Sequence, residues 1–148
     1  MTTATRVADH PVLLLDTSVA LALIFADHED HAKAMRLVRD HRPGLAGHAW
    51  FETFSVLTRL PAGRRRSPAD ALLLLSRDFP ASRFLDAPHA ERLGDELARL
   101  GISGGSVYDA LIAAAARQWG HPLASFDRRA KGTYDAFGID VTFSPDGP

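Results

Sequence analysis

Four consecutive apolar residues, Val12 to Leu15, run straight into Asp16. Apolar at every position rather than every second one, and only four residues long, this stretch fits a strand buried on both faces, as in a parallel sheet. A lone ionised carboxylate among apolar groups costs several kcal/mol. Asp16 must therefore end its element or be met by donors. In open parallel sheets ligands bind outside the carboxyl ends of the strands, so the end of this first strand is also where chemistry is expected.

The rest of the chain alternates in the same way. Thr17 or Ser18 is expected to cap a helix over about Val19–Phe25, and "DHEDHAKAMRLVRDH" carries helical spacing through Ala32, Met35 and Val38. "RPGLAGHA" reads as a turn with a very short strand near Leu45. A helix over about Ala49–Leu60 is stopped by Pro61 and Gly63, and Ser67 with Pro68 opens the next. "SRFLDAP" predicts a brief strand, Pro88 a helix closed by Gly101, "GGSVYDALIAAAARQWG" another helix, and "HPLASFD" and "IDVTF" two more strands. The pattern predicts an α/β domain with a mostly parallel central sheet of four to five short strands flanked by helices. It would occupy residues 11–148 after a flexible tail at 1–10.

With 46% hydrophobic and 24% charged residues the chain has the composition of a globular domain. It has no cysteine, which excludes disulfides, thiolate metal sites and cysteine nucleophiles and is compatible with a reducing cytosol. Asp16, Thr17 and Ser18 interrupt the apolar run from Val12 to Phe25, so neither a signal peptide nor a membrane span is expected, and a cytoplasmic location is. A net charge of −1 excludes a globally basic nucleic-acid binder. Local basic segments remain at Arg64, Arg65 and Arg66 and at Arg128, Arg129 and Lys131. Each reads equally well as solvated loop charge.

Four acids stand out, and each has a structural alternative. Asp16 fits a cap on the following helix, and Asp127, like Asp16 directly after a predicted strand, fits a loop acid beside Arg128 and Arg129. Asp109 follows Ser106 by three residues, the spacing of a capping box, on a helix apolar almost all round. Glu52 falls beside Ser55 and Arg59 on its helical wheel, away from Trp50, Phe54 and Leu57, as a solvated residue would.

In order along the chain, "VLLLDTSVALALI", "HAWFETFSVLTRL", "GGSVYDALIAAAA" and "PLASFD" resemble the PIN-domain ribonucleases, and within them the VapC-type toxins of toxin-antitoxin modules, over about residues 12–143. That resemblance implies a catalytic pocket of Asp16, Glu52, Asp109 and Asp127 around one or two Mg²⁺ or Mn²⁺ ions, cleaving RNA. Asp16, Asp109 and Asp127 are the implied metal ligands, Glu52 orients water or a second ion, and Ser18 and Ser125 aim the carboxylates. Ser125 stands where family members often have threonine, and the fourth acid position varies, which leaves Asp127 the least secure. Asp135 and Asp140 are further acids nearby. The resemblance also implies a VapB-type antitoxin partner and a homodimer, with Trp50, Phe54 and the "ALLLL" run as contact surfaces. Trp50 and Phe51 fit core packing better than base stacking.

Two other classes start from the same acid. A metal-dependent phosphatase of the haloacid dehalogenase type wants a second aspartate where Ser18 stands, and a receiver domain wants a paired acidic cluster and a late lysine. His28 and His31 have helical spacing, but solvated histidines are far commoner than zinc ligands. The non-enzymatic alternative is a PIN-like binding module without catalysis.

Overall fold

The structure, a computed structural model, describes residues 7–145. Residues 1–6 of the expected tail lie outside the described residues, and Val7–Asp9 forms a single 3-10 turn. The chain then runs β1 (Val12–Leu15), α1 (Thr17–Ile24), α2 (His31–Val38), β2 (Arg42–Leu45), α3 (His48–Arg59), α4 (Pro68–Asp78), α5 (Ala87–Leu100), α6 (Ser106–Trp119), β3 (Leu123–Ala124), α7 (Lys131–Ala136) and β4 (Val141–Thr142).

The four strands form one sheet in the order β2-β1-β3-β4, and every pairing is parallel. Leu15 lies opposite Leu45 on one side and Ala124 on the other. After β1 the chain crosses to one flank to make β2, then returns past β1 to make β3. Strand order therefore reverses at β1, and a crevice opens at the carboxyl ends of β1 and β3. Asp16 follows β1 directly.

Side chains of successive strand residues point to opposite faces, so Leu13 and Leu15 enter one core and Leu14 the other. The first core adds Val19 and Ala22 of α1, Leu57 of α3 and Leu75 of α4; the second is filled by Ala110, Ile112 and Ala113 of α6 with Leu93, Tyr134 and Phe137. The alanine run of α6 shares this second core with Leu14 and Leu123 of the sheet. Gly44 is required in β2 by a close approach: a Cβ there would stand 2.2 Å from the Ala81 carbonyl carbon.

Three expectations need correction. In α2 the buried residues are Ala34 and Leu37, whereas Ala32 and Met35 are exposed, because the helix starts only at His31. "SRFLDAP" makes a single bridge between Arg83 and Ala46 rather than a strand, since Asp86 already caps α5 three residues later. Asp127 does not follow its strand directly; β3 ends at Ala124 and Ser125 and Phe126 intervene.

Candidate active site

Asp16 is both the end of an element and met by donors. Its Oδ1 accepts the backbone N–H groups of Ser18 (3.1 Å) and Val19 (3.3 Å) and the Ser18 hydroxyl (2.5 Å), so Asp16 itself caps α1 and neither Thr17 nor Ser18 does. Its Oδ2 accepts the Tyr134 hydroxyl at 3.1 Å. Burial nonetheless raises the carboxyl above its ordinary range, with the hydroxyls of Ser125 and Ser18, the Val19 amide and Tyr134 opposing that rise.

Ser18 has a second task. While donating to Asp16 its Oγ accepts the Phe126 N–H at 2.9 Å, and Ser125 Oγ, fully buried, accepts the Asp127 N–H at 3.0 Å. These bonds tie the segment after β3 to the end of β1 and set Asp127 beside the crevice. Asp127 caps the 3-10 turn Arg128–Ala130 through the Arg129 amide (3.1 Å) and pairs with the Arg129 guanidinium (3.1 Å).

Glu52 is not the solvated residue its helical wheel suggests. Packing of α3 against α1 brings its Oε2 to the Thr17 hydroxyl (2.9 Å), and its Oε1 lies 3.3 Å from His48 Nε2. Asp109 lies in the first turn of α6, where the capping-box alternative fails: Ser106 is already helical, and the cap position is Gly105 with no side-chain bond. Its carboxyl is pushed up to about 6, first by burial and then by the charges of Asp127, Glu52 and Asp16, with Arg129 opposing. Four acids separated by up to 111 positions thus share one electrostatic neighbourhood.

All four side chains offer only oxygen, the donor that hard divalent cations prefer, and repulsion among them is what a cation would relieve. By donor chemistry the residues fit such an ion. As placed, no three acid or histidine side chains among the described residues close into a ligand set. Asp127 is turned onto Arg129, and Glu52 onto Thr17 and His48.

Sequence reasoning missed Tyr134 and His48. Tyr134 shares helical spacing with Ala130 and Phe137 and is almost completely buried, so it reads as core. The available signal is that a buried tyrosine hydroxyl needs a partner. Its own pKa is raised by burial and then by the charges of Asp16 and Asp109. His48 stacks on Tyr108 with ring centroids 4.7 Å apart and 19° between planes.

The remaining candidates fall elsewhere. Asp135 pairs with Lys131 (2.6 Å), and Asp140 is exposed. His31 Nδ1 lies 2.7 Å from the Ala22 carbonyl and His28 Nδ1 accepts the Asp30 N–H, so both serve local structure. The basic segments are largely partnered within the chain: Arg64 with Asp27 and over Phe25, Arg65 with the Leu60 carbonyl, Arg128 over Phe143. Trp50 stacks on Phe54 against the first core, while Phe51 is exposed.

A parallel α/β domain with clustered carboxylates at its strand-order reversal defines the class. Residues 13–136 match the PIN domain family, and the chain belongs to it. It is 44% identical over 131 residues, 88% of this chain and 96% of the relative, to Ribonuclease VapC27 of Mycobacterium tuberculosis, and 38% identical over 128 residues to Ribonuclease VapC40 of the same species, covering 85% of this chain and 94% of that one. Among solved structures it resembles Mycobacterium tuberculosis VapC20, described as a Sarcin-Ricin loop cleaving toxin (TM-score 0.63, 25% identity, covering 82% of this chain and 94% of that one). The fold is also that of VapBC-1 from nontypeable Haemophilus influenzae (TM-score 0.61, 14% identity, 88% and 96% covered).

Proposed function

We propose that this chain is a metal-dependent ribonuclease toxin of the VapC type, with Asp16, Glu52, Asp109 and Asp127 as its catalytic carboxylates and Asp16, Asp109 and Asp127 as ligands for Mg²⁺ or Mn²⁺. The observation that carries the reading is Asp109, whose carboxyl is raised first by burial and then by the charges of Asp127, Glu52 and Asp16. Relatives that are ribonucleases by name over nearly the whole chain support it.

Bound divalent cations polarise a phosphoryl oxygen and make a water nucleophilic near neutral pH. The chain's own part is to place charge. Ser18, Val19 and Tyr134 hold Asp16 in one orientation, which spares that carboxylate an ordering cost when it takes up a ligand role. Asp109 contributes a half-buried carboxylate that feels the charges of the other three acids. Asp127 joins the cluster by leaving Arg129, whose released guanidinium is then available to a phosphate. Glu52, held by Thr17 and His48, orients water.

The reading includes a VapB-type antitoxin and a homodimer, supported by neighbours solved as toxin-antitoxin complexes. Of the expected contact surfaces the "ALLLL" run fits better than Trp50 and Phe54: Leu72 and Leu73 of α4 are exposed, whereas Trp50 and Phe54 pack on the core. A groove lined by Leu23, Ile24, Met35, Val38, Pro43 and Phe79, with Arg77 and Asp78 of α4 beside them, suits an antitoxin segment that is apolar with a polar edge. Among the described residues no helix is long and apolar enough to cross a membrane.

The test is cleavage of RNA by the purified chain with Mg²⁺, with Mn²⁺ and with chelator, beside Asp109→Asn. Cleavage that needs metal and is lost in a folded variant is the expected result. No cleavage under either metal would overturn the reading in favour of a binding module.

A further inference from the structure

Beside the acids lies a groove between α3 and the first turn of α6 that shares Glu52 and His48 with the site, while Phe51, Ser55, Arg59 and Tyr108 do none of the work assigned above. Its volume is about 420 Å³, and His48, Phe51, Glu52, Ser55, Arg59 and Tyr108 line it. This volume is in the range of small-ligand sites. The α3 residues His48, Glu52, Ser55 and Arg59 follow one another at helical spacings of four, three and four, so they form one stripe that starts at the acids and ends at an exposed cation.

Two features set this groove apart from an ordinary surface depression. Tyr108 is 51% exposed although it immediately precedes Asp109, and its ring plane is fixed by the stack on His48. Phe51 is exposed on the opposite helix. Exposed aromatic faces of fixed orientation are the platforms on which unpaired bases stack. Glu52 and Arg59 are seven residues apart, roughly 10 Å along the helix axis, with Ser55 between them as a hydrogen-bonding group.

We propose that this groove is a nucleobase subsite: the base of the unpaired nucleotide next to the scissile phosphate stacks at Tyr108, and its outer phosphate meets Arg59. The proposal rests on the ribonuclease reading and adds to it where the flanking nucleotide binds. Charge complementarity orders the strand, since the acid end of the stripe takes a phosphate only with its cations, whereas the Arg59 end takes one directly. Tyr108 and Arg59 are binding residues outside the chemistry; they act on affinity and on which base is accepted.

The experiment uses the full chain carrying Asp109→Asn in Mg²⁺, so that the probe survives, and reads fluorescence anisotropy of a fluorescein-labelled single-stranded RNA nonamer of random sequence. Tyr108→Ala is expected to weaken binding roughly 5- to 100-fold, the worth of one stacked base. Tyr108→Phe should stay within about twofold, and a blunt RNA duplex should not discriminate among the three. Arg59→Gln should lower the salt slope by about 0.7, the loss of one phosphate contact on a single strand. Equal binding by the Tyr108→Ala protein overturns the subsite. So does a parent that sediments as a dimer and a Tyr108→Ala protein that sediments as a monomer with unchanged RNA affinity, which gives the groove to a second copy. Cleavage by the chain with Asp109 intact, run in parallel, separates the two levels: if it persists while the subsite fails, the ribonuclease reading stands.

Discussion

Replacing Asp109 by asparagine should make the metal-free protein more stable. The native carboxyl titrates at about 6 against an ordinary value of 3.8, and one pKa unit corresponds to about 1.4 kcal/mol. The ceiling is therefore about 3 kcal/mol. The side chain is only half-buried, and water screens part of its repulsion, so about 1–2 kcal/mol is the expected gain. For a chain of this size that raises Tm by roughly 3–6 °C. The sign of the pH dependence follows from the raised native value. Between about pH 4 and 6 the native state binds more protons than the unfolded one, so stability falls as pH rises through this window and stays low above it. Thermal melts in chelator at pH 8 should show the full gain for Asp109→Asn, and at pH 4 the two proteins should coincide. Adding Mg²⁺ at pH 8 should then stabilise the parent more than the variant, because binding to the native state alone adds stability. A variant that melts below its parent at pH 8 in chelator would refute the reasoning, since it would mean that the carboxylate is held by structural partners rather than disfavoured by burial and by its neighbours' charges.

Ser18→Ala removes the hydroxyl that donates to Asp16 and accepts the Phe126 amide; it should cost about 1–3 kcal/mol in urea denaturation and lower cleavage with it. Tyr134→Phe keeps the ring in its core and deletes one donor to Asp16, so about 1 kcal/mol is lost and the Asp16 carboxyl becomes easier to protonate, read by carboxyl-carbon NMR titration in chelator. Gly44→Ala would press a methyl group into the Ala81 backbone; with main chain on both sides unable to yield, loss of more than about 3 kcal/mol or failure to fold is expected, measured by circular dichroism.

The contrast between Asp16 and Glu52 explains how much of this site was open to sequence reasoning. A buried parallel strand announces itself by an unbroken apolar run, and a carboxylate at its end has few places to go, so Asp16 and a mostly parallel sheet follow from local pattern and base physics. The helix boundaries at Ser67–Pro68 and Gly101 were equally legible, because their capping chemistry is local. Glu52 was not. Its Thr17 partner comes from α1 packing on α3, a contact between residues 35 positions apart, and a helical wheel contains no information about what packs on its polar side. Tyr134 escaped for the same reason over a span of 118 positions: its neighbours made it core, and only the rule that a buried hydroxyl must find an acceptor set it apart. For Asp109 the spacing from Ser106 allows a cap and only the family resemblance makes it a metal ligand; in the structure α6 begins at Ser106 itself, and the cap alternative falls away. The acids that stabilise local structure were thus visible one at a time. The set became recognisable only through Asp109, since burial together with the charges of Asp127, Glu52 and Asp16 acts on that one carboxylate, and no local pattern around any of the four shows it.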